Sequence, residues 1–294
     1  PGTQPFDHDV LLEAIRSASS REFKPVGHTS VVFRMRLDSE HSAAFRPRTR
    51  THRRGHLAEV AAYAVGRFLG LDNVVPATLR TESRRRISEH LHPRYDDVGT
   101  WEDLEERIFY RSPTQTPGAA IYWVPELVDT ELDENPSRRE WGGWLTGEGI
   151  PQERMSLARD LSNMRVFDYL IGNWDRFSGG NLKLFGGEVE RVALRDHNVA
   201  FGRLGEEREA GLRADVEETR RFSRAVIARL SQLDAAGLQG VIERFNTEQE
   251  RRSLGLDILH STQQAGVLER AAVVLSHVGA LIAEHGEDAV LYFD

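Results

Sequence analysis

The chain has 294 residues, 39% hydrophobic and 29% charged, the balance of a soluble globular protein long enough to bury a core in one large domain or two lobes. A net charge of −8, despite 38 basic residues, argues against nucleic acid as a partner, and the absence of cysteine excludes disulfides and thiolate chemistry. No run approaches ~20 consecutive apolar residues, so no membrane span is expected.

In chain order, the opening PGTQPFDHDV lacks a basic-then-apolar leader pattern, and a cytoplasmic chain is the expectation. Residues 8–20 read as a short amphipathic helix with Val10, Leu11 and Ile15 on one side. Two strand-like runs, 30–37 and 42–45, flank the turn Asp38-Ser39-Glu40 and make a hairpin. Just before them, VGHTS (26–30) is a small-residue turn in which Gly27 can expose backbone amides to a phosphate. Residues 56–71 form the clearest helix of the first half, with Leu57, Val60, Ala61, Val65, Phe68 and Leu69 at helical spacing and Gly70 near its end.

Residues 73–78 read as a turn into an edge strand, and 80–117 as a polar, Arg-rich insertion with one or two short helices near 101–107. GAAIYWVPEL (118–127) is the last strand of the first lobe. Residues 151–171 form one long helix with proline at its start, and further helices are expected at about 216–232, 235–246 and 262–284. The expected class is α+β, with a β-rich lobe over 1–126 and a helical lobe over 127–294.

The chemistry concentrates in FDYLIGNWDRFSGGN (167–181) and VALRDHNVAF (192–201). The first is an amphipathic helix that stops at Gly172-Asn173, leaving Asp175 and Asn181 in an irregular loop. The second is a short apolar strand that delivers Asp196 at its end. Two carboxylates and an amide suit a hard cation such as Mg²⁺ or Mn²⁺, which takes few protein ligands and keeps sites for water and phosphate. The order Asp, Asn, Asp also fits phosphoryl transfer. Asp175 accepts the proton of an acceptor hydroxyl, while Asn181 and Asp196 hold the metal.

IGNWDR followed by RDHNVAF resembles the IGN-x-DR…DNG-x-AF signature of the secretory-pathway (Golgi) casein kinases and four-jointed-type kinases. The type II phosphatidylinositol 4-kinases and HipA-like bacterial kinases are more distant relatives. The resemblance implies a bilobal protein-kinase-like fold, ATP and a divalent metal as cofactors, and an acceptor hydroxyl on a protein, glycan or small molecule. It also carries over Asp175 as base and Asn181 and Asp196 as metal ligands. Phe177 stands where a relative more often has His, and His197-Asn198 where Asn-Gly is usual.

The resemblance extends to the first lobe. Phe45-Arg46-Pro47 matches a family Phe-Lys-Pro, whose lysine pairs with a glutamate on the next helix, and Glu59 lies at the matching place in GHLAEVAAY. Tyr122-Trp123-Val124 would be the hinge that reads the adenine edge. The phosphate-binding lysine is thus Arg46, a planar fork rather than a point charge. Either Arg46 contacts the phosphates itself, or Lys24, one of only two lysines in the chain, reaches in from the neighbouring strand. The alternative to an active kinase is a pseudokinase that acts by binding alone.

Overall fold

A computed structural model describes residues 6–27, 30–93, 100–111, 114–244 and 257–294. The chain divides into two compact units, each discontinuous in sequence: Pro1–Tyr63, Val75–Pro125 and Glu243–Ile258 form the first, and Ala64–Val74, Glu126–Ile242 and Leu259–Asp294 the second. His28 and Thr29 of the small-residue turn lie outside the described residues.

The first unit is built on a five-stranded antiparallel sheet. Its strands are β1 (Ser20–Pro25), β2 (Phe33–Leu37), β3 (Ser42–Pro47), β4 (Ala77–Ser83) and β5 (Gln115–Tyr122), in the order β1-β2-β3-β5-β4. Side chains alternate across a strand, so the register fixes two faces. One carries Phe23, Phe33, Met35, Ala43, Phe45 and Ala120, all fully buried. Ile15 of α1 (His8–Ser17), Ile87 of α3 (Arg84–Glu89) and Leu104 of α4 (Trp101–Arg107) join that core. Phe23 meets Phe33 and Phe45 edge-on at 6.1 and 6.3 Å, each contact adding about 1 kcal/mol beyond burial.

The opposite face carries a row running straight across the sheet through Lys24, Arg34, Ala44, Ile121 and Ala77, with Arg46 and Ala119 paired beside it. Gly118 lets β5 approach β3, since a Cβ there would lie 2.6 Å from the Arg46 carbonyl oxygen.

Two details differ from expectation here. The first helix ends at Ser17, not residue 20, because Ser20 opens β1, a strand hidden in the polar run SREFKP. Val10 is 56% exposed; the buried stripe of α1 is His8, Leu11 and Ile15. The edge strand begins at Ala77 and continues to Ser83, well into the stretch read as an insertion.

In the second unit, α6 (Met155–Ile171) is the central element, entered through a 3₁₀ turn, Gln152–Arg154. Packed against it are α5 (Asn135–Thr146), α7 (Glu206–Glu218) and α10 (Ser261–His285). Smaller helices α8 (Arg224–Leu230), α9 (Ala235–Glu243) and α11 (Glu287–Val290) complete the unit. Far from being amphipathic, α6 is buried on every side from 160 to 171. Its polar side chains are therefore internal partners; Ser162, for example, donates to the Arg221 carbonyl at 2.7 Å.

The expected helix over 216–232 is two. Helix α7 stops at Thr219, whose hydroxyl donates back to the Asp215 carbonyl at 2.9 Å, and the next residues turn to pair with the chain end through Phe222 N–H to Val290 O at 2.7 Å. Helix α10 is long and apolar enough to cross a membrane by length and composition, although Glu269 and Arg270 interrupt its apolar run. It nevertheless buries Val267, Ala271, Val274 and Val278, a one-sided stripe, within the unit.

A three-stranded sheet, β6 (Leu127–Val128), β7 (Lys183–Phe185) and β8 (Val192–Ala193), finishes the second unit. Residues 72–74 dock on its last strand. Asn73 donates to the Val192 carbonyl at 2.9 Å and accepts from Leu194 N–H at 3.0 Å, while Arg191 binds Asp160 and Asp72 at 2.6 Å each. Three residues, Arg191, Val192 and Leu194, are thereby fixed just ahead of Asp196.

Candidate active site

In the first unit, Arg46 of β3 faces α2 (Gly55–Phe68) and its Nε lies 3.3 Å from Glu59 Oε1. Both side chains are buried, and Arg46 Nη1 donates to Ser30 Oγ at 3.0 Å. Glu59 therefore holds the guanidinium while Ser30 ties it to the turn after β1. Lys24 is exposed and sits two strands away on the same sheet face. Gly27 is needed for the turn, since a Cβ there would meet the Ser30 carbonyl at 2.1 Å.

The strand end read as a hinge is only partly available to a ligand. Tyr122 N–H donates to the Pro76 carbonyl at 2.8 Å and Trp123 N–H to Ser42 at 2.9 Å, so neither amide can read an adenine edge. The Trp123 ring lies on the Arg46 face, 5.0 Å beneath Arg34. Burial raises the Tyr122 phenol above its ordinary range, with the Glu40 carboxylate adding to the shift.

In the second unit, α6 ends at Gly172 in a left-handed conformation (φ 68°), and the loop that follows folds back on the helix. Arg176 grips Asp168 with two parallel hydrogen bonds, 2.8 Å from Nε and 2.9 Å from Nη2, and all three of Asp168, Arg176 and Asn173 are buried. Asn173 donates from its side chain to Asp168 Oδ1 at 3.1 Å and from its backbone to the Asp168 carbonyl at 2.8 Å. The remaining arm of Arg176 donates to the Arg195 carbonyl at 2.6 Å. One buried guanidinium thus ties the helix, the loop carrying Asp175 and the residue preceding Asp196.

Asn181 closes the loop. Its Nδ2 donates to the Asp175 carbonyl at 2.9 Å and to Asp175 Oδ2 at 3.3 Å. Those two bonds fix which end of the amide is oxygen and turn Oδ1 away from Asp175. Asp196 has φ 59°, one of two non-glycine residues with positive φ among those described. Aspartate tolerates this region better than most residues, yet strain of this kind concentrates where a side chain must be aimed. Arg195 approaches the Asp196 carboxylate at 3.8 Å.

Among the described residues no group of three His, Cys, Asp or Glu side chains is arranged to hold a metal. The candidate set is instead one carboxylate, Asp196, and one amide oxygen, Asn181 Oδ1. That sparse oxygen set fits Mg²⁺ or Mn²⁺, which complete their shells with water and phosphate oxygens. The reading of the sequence placed Asp175, Asn181 and Asp196 in this region but missed Asp168, Asn173 and Arg176. The signal available was the motif itself: IGN-x-DR contains both the asparagine and the arginine, and a lone acid eight residues before that arginine on a buried helix needs a partner.

The fold is kinase-like, α+β and bilobal. It matches the crystal structure of the Golgi casein kinase with Mn/ADP bound, with a TM-score of 0.71 and 18% identity over 96% of this chain and 78% of that one. It also matches the structure of hydra Fam20 with sugar, with a TM-score of 0.67 and 18% identity over 97% of this chain and 93% of the other. At these identities the likeness is one of fold. No protein-family model and no curated protein sequence matches the chain.

Proposed function

We propose that the protein is an atypical kinase that transfers a phosphoryl group from ATP to a hydroxyl of a protein, glycan or small molecule, with Mg²⁺ or Mn²⁺. The carrying observation is the frame in which buried Arg176 joins Asp168 and the Arg195 carbonyl, so that Asp175 and the strained Asp196 are held by one hydrogen-bonded assembly. The Mn and ADP in the Golgi casein kinase structure support the cofactors.

In this reading Asp196 and Asn181 Oδ1 hold the cation, which when bound neutralises charge on the phosphates. Asp175 orients the acceptor hydroxyl and takes its proton as the oxygen attacks phosphorus. The Arg46 guanidinium, held by Glu59, supplies positive charge to the phosphates; the Gly27 turn offers backbone amides and Lys24 a second cation. Trp123 and the Val124 backbone border the adenine.

Asp175→Asn tests the base. ATP binding should stay within about twofold while phosphoryl transfer falls by 10²–10⁴, the usual worth of a general base. Turnover at the parent rate would reject the role.

One observation supports a pseudokinase as the second reading: a planar arginine fork, tied by Nη1 to Ser30 as well as by Nε to Glu59, stands where the resembled kinases have a lysine. Arg46→Lys separates the two. Preserved or raised turnover supports the kinase, because a compact ammonium restores a point contact with phosphate. Nucleotide binding without turnover in both parent and variant, across protein, glycan and small-molecule acceptors, selects the pseudokinase.

A further inference from the structure

Within the second unit, α5, α6, α7 and the loop after α6 enclose a cavity of about 320 Å³. Four arginines line it, Arg138, Arg165, Arg176 and Arg208, against two aspartates, Asp168 and Asp215. Arg176 is consumed by Asp168, as described above. The other three outnumber Asp215 in the lining, with Glu218 a more exposed carboxylate 3.9 Å from Arg165.

Arg138 and Arg208 sit over aromatic rings, their Cζ atoms 4.1 Å from the Phe177 centroid and 3.4 Å from that of Trp174. Stacking uses the face of a guanidinium and leaves its in-plane N–H donors for another acceptor. Neither donates a hydrogen bond within the described residues; Arg138 only approaches Asp215, at 3.9 Å.

Two buried side chains in the wall carry polar atoms with no hydrogen-bond partner. Arg165 is 7% exposed and donates through Nη1 to the Asp215 carbonyl and to Thr219 Oγ1, yet its Nε has no acceptor. Asn173 is fully buried and donates through Nδ2, yet its Oδ1 has no donor. Native proteins seldom leave such atoms unpaired. The pair is informative because the requirements are opposite: Nε asks for an oxygen acceptor and Oδ1 for an O–H or N–H.

We infer that this cavity binds a small hydroxylated oxyanion, of the kind of a sugar bearing a phosphate or carboxylate. The anionic group engages Arg165, Arg138 and Arg208, a hydroxyl donates to Asn173 Oδ1, and the Phe177 and Trp174 rings hold Arg138 and Arg208 in place for it. A modest turn of Arg165 and Asn173 towards the occupant satisfies both orphaned atoms. A divalent cation is excluded by the excess of arginine, and a purely apolar ligand by the orphaned polar atoms. The inference does not depend on phosphoryl transfer, because every residue in it belongs to one unit and none is a proposed metal ligand or base.

The test is calorimetric titration of the full chain, free of nucleotide and metal, with glucose 6-phosphate, glucuronate, glucose and inorganic phosphate. Either sugar anion should bind at least tenfold more tightly than glucose, and more tightly than phosphate, with affinity falling as salt rises. Binding of glucose 6-phosphate alone marks the site as phosphate-selective, and binding of both sugar anions marks it as general for oxyanions. The double variant Arg138→Gln/Arg208→Gln, at partly exposed positions that tolerate change, should lose tenfold or more. Arg84→Gln, which removes an exposed arginine paired with Glu105 in the other unit, should change nothing. Sugar anions that bind no better than glucose, or a folded double variant with parent affinity, would overturn the inference.

Discussion

At the scale of single residues, Asp196 carries a backbone strain that its proposed role as a metal ligand would account for. A φ of 59° costs a residue with a Cβ on the order of 1 kcal/mol, and glycine would relieve it. Asp196→Gly should therefore be more stable than Asp196→Ala by roughly 1 kcal/mol in urea unfolding, while both lose the metal-dependent part of nucleotide binding. Equal stabilities would mean that the left-handed backbone relaxes on substitution. Retained metal-dependent binding in either variant would remove Asp196 from the metal site.

At the scale of elements, helix α2 begins on an unusual residue. His56 in its first turn is 1% exposed, and neither ring nitrogen has a hydrogen-bond partner. Burial, and then the nearby Arg48 and Arg54, push its pKa from 6.5 down to about 3. The folded state thus refuses a proton that the unfolded chain accepts between pH 6.5 and 3. Stability falls as pH drops through that window, by up to about 1.4 kcal/mol per pH unit from this group. His56→Leu should flatten that part of the acid limb in unfolding measured from pH 7 to 4. An unchanged acid slope would show that other groups carry it.

The same scale explains what the sequence made legible. Strand β3 and helix α2 have apolar patterns that the sequence shows, and the loop after α6 carries a local motif, so the elements bearing Arg46, Glu59 and Asp175 were legible; the pairing of Arg46 with Glu59 came from the family resemblance. Strand β1 could not, because SREFKP alternates too weakly, with Phe23 its one large apolar side chain, and only pairing with β2 makes it a strand. The break between α7 and α8 was hidden for a similar reason: it is set by pairing with residues 290–293, some seventy positions away. The cavity lined by Arg138, Arg165 and Arg208 was invisible because its walls come from three helices and a loop. In so Arg-rich a chain, each arginine alone reads as solvated surface.

At the scale of the whole molecule, the candidate groups are divided: Arg46, Glu59 and the Gly27 turn belong to the first compact unit, Asp175, Asn181 and Asp196 to the second. A ligand that binds only the folded chain raises its stability by mass action, about 2.7 kcal/mol at a hundred times Kd. Unfolding entropy grows with length, so for 294 residues this corresponds to a rise in Tm of about 4 °C. ATP with Mn²⁺, each at saturating concentration, should produce a shift of that size, and ATP with a chelator a clearly smaller one, because the cation and the phosphates neutralise one another. Asp196→Ala should abolish the difference between the two conditions while keeping the chelator-insensitive part, which rests on Arg46 and the sheet face. Arg46→Ala should do the reverse, lowering both shifts together. A parent chain whose Tm is indifferent to ATP and Mn²⁺ at millimolar concentration would reject nucleotide binding, and with it both the kinase and the nucleotide-binding pseudokinase.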